Sequence, residues 1–166
     1  MIIKTKEFIL RPLKVSDAQG YLECHQDEEA KENFTSVPKT LEESKKEIKD
    51  NIKEKKAFAI EVKGEFAGFI NLEVNNHPRY KHSAIVGYGI KKDFRGKGLA
   101  TKALKEITEY GFKELKLVRI VGWCRTFNKA SQKVLEKAGY KLEGVLKKNK
   151  FQNGKYLDDM VWAKVR

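Results

Sequence analysis

The period of the apolar positions changes along the chain, and each change marks an element. Phe8 to Leu13 reads as a first strand, stopped by Pro12, which has no backbone donor. Ser16-Asp17-Ala18-Gln19 has the form of a capping box and opens a short helix that reaches Gln26. Asp27 to Lys39 is polar, ends at Pro38 and reads largely as loop. Thr40-Leu41-Glu42-Glu43 is a second capping box, and its highly charged helix runs to about Lys55 with Leu41, Ile48 and Ile52 on a sparse apolar face. The period then drops to two. Phe58, Ile60 and Val62 alternate with small or polar residues, Lys63-Gly64-Glu65 turns the chain, and Phe66 to Val74 alternates again.

Asn75 to Lys81 is a loop containing Pro78, and Ser83 to Lys91 is the next strand. A helical pattern follows, with Leu99, Ala103, Leu104, Ile107, Tyr110 and Phe112 at helical spacing and an end near Glu114. Leu117 to Cys124 is apolar on both faces, as a central strand covered on both sides requires. Asn128 to Ala138 is a short helix with Asn128 as N-cap and Gly139 suited to the C′ position. Asn153-Gly154 joins Tyr140 to Phe151 and Tyr156 to Val165 as a hairpin. The order β-α-α-β-β-β-α-β-α-β-β predicts an α/β fold, a mixed sheet with helices on both faces.

Composition narrows the class. A chain of 166 residues fits one domain spanning residues 1–166, long enough to bury roughly two-thirds of its unfolded surface. No apolar run approaches a membrane span and the first residues lack a signal-like apolar core, so a cytoplasmic protein with no membrane partner is expected. Cys24 and Cys124 have no metal spacing and are expected to be reduced. His25, His77 and His82 form no ligand set, so no metal is expected, although His77 and His82 flank a loop that would border an acceptor site. The net charge of +12 is uneven: residues 1–80 carry 14 basic and 15 acidic side chains, residues 81–166 carry 21 and 8. The excess favours a polyanionic partner, either a nucleotide cofactor or nucleic acid.

The basic half contains Gly87-Tyr88-Gly89-Ile90-Lys91-Lys92-Asp93-Phe94-Arg95-Gly96-Lys97-Gly98-Leu99-Ala100-Thr101, a strand, a glycine turn and a helix start. The first N–H groups of a helix have no intrahelical partner and sit at the positive end of its dipole, so this geometry binds phosphate. Gly96 and Gly98 let backbone approach a ligand, and Arg95 and Lys97 add charge. The spacing does not match the Gly-x-x-x-x-Gly-Lys-Ser/Thr loop, and both Gly-x-Gly pairs lack the third glycine of a dinucleotide fingerprint.

What does match is Arg-x-x-Gly-x-Ala at Arg95, Gly98 and Ala100, which resembles the acyl-CoA signature of GCN5-related N-acetyltransferases. Gly-Tyr-Gly-Ile before it looks like the family's fourth strand, and Asn128-Lys129-Ala130-Ser131 with Leu135 to Tyr140 looks like its second cofactor motif. Phe-Ile-Leu-Arg-Pro-Leu near the start, Leu142-Glu143-Gly144 and Asn153 to Asp158 are similar to the branch that acetylates ribosomal-protein N-termini. The resemblance implies a largely antiparallel mixed sheet with a splayed central strand pair, and transfer of an acetyl group from acetyl-CoA to a primary amine. It implies that backbone N–H groups from Arg95 through Gly96, Lys97, Gly98, Leu99 and Ala100 to Thr101 ring the pyrophosphate. Main-chain groups of Ile90 and Lys91 would pair with the pantetheine arm, Asn128 would reach it from the other side, and Lys133 would approach the 3′-phosphate.

The chemistry asks for two proton transfers. An amine acceptor with a pKa of ~10.4 must lose a proton, and a thiol leaving group of ~8.5 gains from a hydrogen bond. Ser131 matches the branch serine assigned to the departing sulfur. A glutamate expected after Leu-Glu-Gly is replaced by Lys150, so Glu73, on one strand face with Asn71, is the candidate base. Tyr88 faces the same region, with core packing as its simpler role. The acceptor implied by the branch is a protein N-terminal amine; small amines such as polyamines or amino sugars stay open because Glu28, Glu29 and Glu32 offer acidic walls. A silent acyl-CoA-binding module is the non-enzymatic alternative. Direct nucleic-acid binding lacks an aromatic RNP-like strand, a zinc finger or a Gly-x-x-Gly loop. The protein is expected to be a monomer or homodimer.

Overall fold

Eight strands form one sheet in the order β1-β2-β3-β4-β5-β6-β8-β7. The computed structural model describes residues 2–26, 28–34 and 36–166, with the side chain of Glu29 also outside the description. The strands are β1 Ile3–Lys4, β2 Ile9–Pro12, β3 Ala57–Val62, β4 Glu65–Val74, β5 Ser83–Ile90, β6 Arg119–Arg125, β7 Lys141–Gln152 and β8 Lys155–Val165. The helices are α1 Ala18–Gln26, α2 Glu28–Asn33, α3 Leu41–Glu54, α4 Leu99–Lys113 and α5 Lys129–Lys137. All neighbouring strands are antiparallel except β5 and β6. The mixed, largely antiparallel sheet with helices on both faces is as the sequence predicts.

Two cores cover the two faces. Leu99, Ala103, Leu104 and Ile107 of α4 and Leu135 of α5 pack with Ile60, Ile70, Val86 and Ile120 of the strands. On the opposite face Ala18, Tyr21 and Cys24 of α1 and Ile48 of α3 pack against Ala57, Ala59 and Phe69. Ser44 ties α3 to α1 by donating to the Ala18 carbonyl at 2.7 Å.

Local differences from the sequence reading have physical causes. Ser16 does not cap α1; a 3-10 turn over Val15–Asp17 precedes it, and the Asp17 carboxylate accepts from the Lys14 N–H at 2.8 Å and from both terminal nitrogens of Arg11. That turn sets the buried Asp17 carboxylate against the partly buried Arg11 of β2. α2 lies where a loop is expected. Its sequence, Glu-Glu-Ala-Lys-Glu-Asn, has no apolar stripe, and among its described side chains only Ala30 is buried. Tertiary docking supplies what periodicity does not: Phe34, just after α2, stacks near His25 and Phe69. Thr40 caps α3 by accepting from the Glu43 N–H, but Glu43 accepts from Lys39 rather than from the cap residue.

Candidate active site

β5 and β6 are paired only from Ser83↔Arg119 to Val86↔Gly122. Beyond that point each strand follows its other neighbour. β5 stays on β4 through Gly68↔Ile90, and β6 stays on β8 through Arg125↔Asp159. The splayed pair is thus present, and a residue of α5 occupies its apex. Leu135 is fully buried, and a Cβ at Gly122 would lie 2.5 Å from its Cδ2. A larger residue at position 122 would push α5 off the fork.

The fork opens into a cavity of about 820 Å³. The Lys91 N–H donates to the Ala67 carbonyl of β4 at 2.9 Å. Successive residues of a strand turn their backbone groups to opposite edges, so Gly87 and Gly89 also address β4 while Tyr88 and Ile90 address the gap. The Ile90 carbonyl accepts from Nε of Arg95 at 2.9 Å. The edge expected of Ile90 is therefore present, and the one expected of Lys91 is not. Its amide is spent on β4, and its ammonium lies 3.2 Å from Glu23 and 3.4 Å from Glu65, outside the cavity lining.

A second 3-10 turn, Lys92–Phe94, carries the chain to α4. Gly96 and Gly98 have φ of 76° and 73°, and a Cβ on either would meet nothing within 4 Å, so their freedom serves backbone conformation and ligand approach. Gly98 is the N-cap of α4 and offers no side-chain cap, leaving the first-turn N–H groups of Leu99, Ala100 and Thr101 to face the cavity. Arg95, Gly96, Gly98, Leu99, Ala100 and Thr101 all line it. Lys97 does not: its ammonium donates to the Asp93 carbonyl at 3.0 Å and sits 5.8 Å from the Phe94 ring.

Asn128 caps α5 by accepting from the Ser131 N–H at 3.0 Å, and both residues line the cavity. Across the fork the Tyr88 hydroxyl lies 2.7 Å from Oγ of Ser131. Burial raises the Tyr88 pKa well above the ordinary phenol value, so the ring keeps its proton through the neutral range. Lys133 is exposed along α5 and lines the cavity, joined by Lys137 one turn on. Glu73 is elsewhere. It lines a separate cleft with Leu72 and Tyr110, and its carboxylate reaches Lys56 at 3.9 Å. The structure thus does not bring Glu73 together with Tyr88 and Ser131. His77 and His82 are outside the lining too. His25 is buried against Phe34 and Phe69; its Nδ1 faces the Tyr21 carbonyl at 2.7 Å and therefore carries the ring proton.

A polar group at the wide end of the cavity is not legible in sequence. Arg125 and Asp159, buried cross-strand partners on β6 and β8, form an ion pair. Asn149 donates to the other Asp159 oxygen at 2.7 Å, and Lys150 donates to the Phe34 carbonyl at 3.1 Å. A bulge delivers the last two. Leu146 pairs with Asp159 and Lys150 with Leu157, so β7 holds two residues more than β8 between those pairs. Asp158 accepts from the Lys148 N–H at 2.7 Å, with Lys148 at a φ of 52°. The one usable signal was Lys150 itself, standing where the branch pattern has glutamate.

The family model "Acetyltransferase (GNAT) domain" matches residues 7–141. The "Probable N-acetyltransferase YjcK" of Bacillus subtilis is 42% identical over 81 residues, 49% of this chain and 45% of that protein, so that match spans about half of each. The L-amino acid N-acetyltransferase AaaT of Escherichia coli is 25% identical over 96% of this chain and 99% of its own length. The ribosomal-protein-serine acetyltransferase of Escherichia coli is 27% identical over 80% and 76%. Among solved structures, a GNAT-family acetyltransferase from Bacillus anthracis superposes with a TM-score of 0.90 at 26% identity, covering 99% of this chain and 98% of that one. A RimL ribosomal L7/L12 α-N-protein acetyltransferase in complex with coenzyme A superposes at 0.86 with 24% identity, covering 99% and 98%.

Proposed function

The chain belongs to the GCN5-related N-acetyltransferase family, and from that premise we propose how its fork moves an acetyl group from acetyl-CoA to an α-amine such as a protein N-terminus. The enzyme is an acetyl-CoA-dependent N-acetyltransferase. The observation that carries the reading of the site is the fork itself, which places Tyr88 of β5 against Ser131 of α5 beside an uncapped, glycine-rich helix start.

The residues present fit the cofactor. Gly96 and Gly98 leave open space where a side chain would fill it, and the first turn of α4 with Arg95 offers donors to a pyrophosphate. Lys133 and Lys137 present charge to a further phosphate along the same cleft. The free edge at Tyr88 and Ile90 pairs with an amide-bearing arm as an added strand would. When bound, acetyl-CoA supplies an activated acyl carbon and a thiol leaving group.

The chain's own part is positional and protic. Tyr88 keeps its proton, and its hydroxyl lies 2.7 Å from Oγ of Ser131, a pair in which either oxygen can donate. With Tyr88 as the donor the Ser131 hydrogen is directed at the sulfur, so Ser131 stabilises the leaving group without titrating. The amine attacks directly from the wide end, between Phe34 and the Arg125–Asp159 pair.

Coenzyme A should raise the melting temperature, and Gly98→Trp should weaken its binding at least about tenfold, because a bulky side chain replaces open space at the phosphate turn. Thiol release that requires an added amine supports transfer. No binding at millimolar coenzyme A would overturn the reading. A second reading, a free amino acid as acceptor, is favoured by the near full-length match to the L-amino acid enzyme.

A further inference from the structure

The wide end of the cavity has more hydrogen-bond donors than acceptors. Asp159 is the sole carboxylate among the described lining residues, against Arg95, Arg125, Lys133, Lys137 and Lys150. Both Asp159 oxygens are taken, one by Arg125 and one by Asn149. Among the described lining residues no carboxylate therefore stands without a cationic or amide partner to receive a second ammonium group. Glu28 and Glu32, offered by the sequence as acidic walls, are absent from the lining, and Glu28 pairs with Lys31 at 2.7 Å. The Glu29 side chain lies outside the described residues.

The donors, in contrast, are in surplus. Nε of Arg125 is buried and has no hydrogen-bond partner among the described residues, although Arg125 is only 6% exposed. A buried N–H without a partner is costly, and a ligand that supplies an acceptor relieves that cost. Lys150 spends one proton on the Phe34 carbonyl and has two more. Burial first, and then the neighbouring Arg125 charge, lower its pKa, which an anion placed between the two would reverse. The bulge on β7 exists at this point and places Asn149 against Asp159 of β8 and Lys150 against the Phe34 carbonyl.

We propose that Arg125 and Lys150 form an anion subsite, so that the preferred acceptors are amines carrying a carboxylate or phosphate and polyamines are rejected. The subsite rests on the acetyl-transfer reading for the amine but not for the anion. Asn149 orders Asp159, which in turn holds the Arg125 guanidinium among the lining residues, where Lys150 also stands. A polyamine brings only positive charge to a site whose uncompensated charge is already positive, and a neutral amine leaves Nε unpaired. Discrimination of this kind, by buried donors left unmet, is the strong kind.

The test is calorimetric titration of the protein saturated with coenzyme A, where no turnover occurs, using matched acceptors. Alanine is compared with alaninamide, an Ala-Asp amide with an Ala-Lys amide, and phosphoethanolamine with ethanolamine; spermidine is the polycation. In at least one pair the anionic member should bind at least about tenfold tighter, and the pair that responds identifies the source of the anion. Lys150→Gln should reduce that preference to within about threefold while coenzyme A affinity stays within about twofold. Lys150 is chosen because Arg125→Ala would strand the buried Asp159 carboxylate and threaten folding. Equal or absent binding of every anionic member, or binding of spermidine as tight as the best of them, overturns the subsite. Thiol release from acetyl-CoA is followed separately: selective binding without thiol release from any acceptor sinks the transfer reading and leaves the subsite standing.

Discussion

At the scale of single residues, Ser131, the Arg125–Asp159 pair and His25 have properties set by neighbours rather than by their own chemistry. Ser131 is a poor acid alone, and the buried Tyr88 phenol lies 2.7 Å from its Oγ. Ser131→Ala should lower the rate of thiol release at least about tenfold with unchanged coenzyme A affinity. Tyr88→Phe should cost less, and the double variant should be no slower than Ser131→Ala, since the two act as one unit; a loss within twofold for Ser131→Ala removes the role. The Arg125–Asp159 pair is buried on both sides, so Asp159→Asn leaves an uncompensated cation and should cost about 3–5 kcal/mol in urea unfolding. His25 responds to pH. Burial holds its pKa below the ordinary 6.5, so the unfolded chain binds more protons there than the folded one. Stability should therefore fall as pH drops through 6.5, and His25→Gln should flatten that dependence in melting curves taken from pH 7.5 to 5.

At the scale of elements, the site is a consequence of two strands parting and one helix filling the gap. Gly122 and Leu135 are the closest fit at that apex. Gly122→Ala forces a Cβ to within 2.5 Å of Leu135 Cδ2, so it should destabilise the fold by about 1–3 kcal/mol. The displaced α5 should also lower turnover through Ser131, and Leu135→Val should restore part of both in the same assays. The phosphate turn was legible early because its requirements are local. Positive φ at Gly96 and Gly98 and an uncapped helix start depend on a few consecutive residues. The Asn153-Gly154 hairpin was legible for the same reason, with φ of 51° and 74° at its two turn residues. α2 was not, because five charged and polar residues hold a helix only when the sixth, Ala30, finds a place in the core. The β7 bulge was not either, since its extra residues are defined by the partner strand.

At the scale of the whole molecule, the surplus of positive charge in the second half has a location and a use. Part of it converges on the cavity from the turn before α4 and from α5, β6 and β7 as Arg95, Lys133, Lys137, Arg125 and Lys150. Coenzyme A affinity should consequently fall as salt is raised from about 0.05 to 0.5 M, with a shallower dependence in a Lys133→Gln, Lys137→Gln double variant. No helix among the described residues is long and apolar enough to cross a membrane.

The sequence by itself determined the order of elements, the glycine turn before α4, the Asn128 cap with Ser131 behind it, and the family these imply. Each is a short-range property, in which backbone conformation or hydrogen bonding is settled within one turn of chain. Only the tertiary structure decided which strand edge is free, that Glu73 and Lys91 face away from the cavity, and that Tyr88 meets Ser131. It alone brought Arg125, Asn149, Lys150 and Asp159 to one end. Those facts depend on register and on where two strands separate, and register is set by pairing between segments distant in sequence.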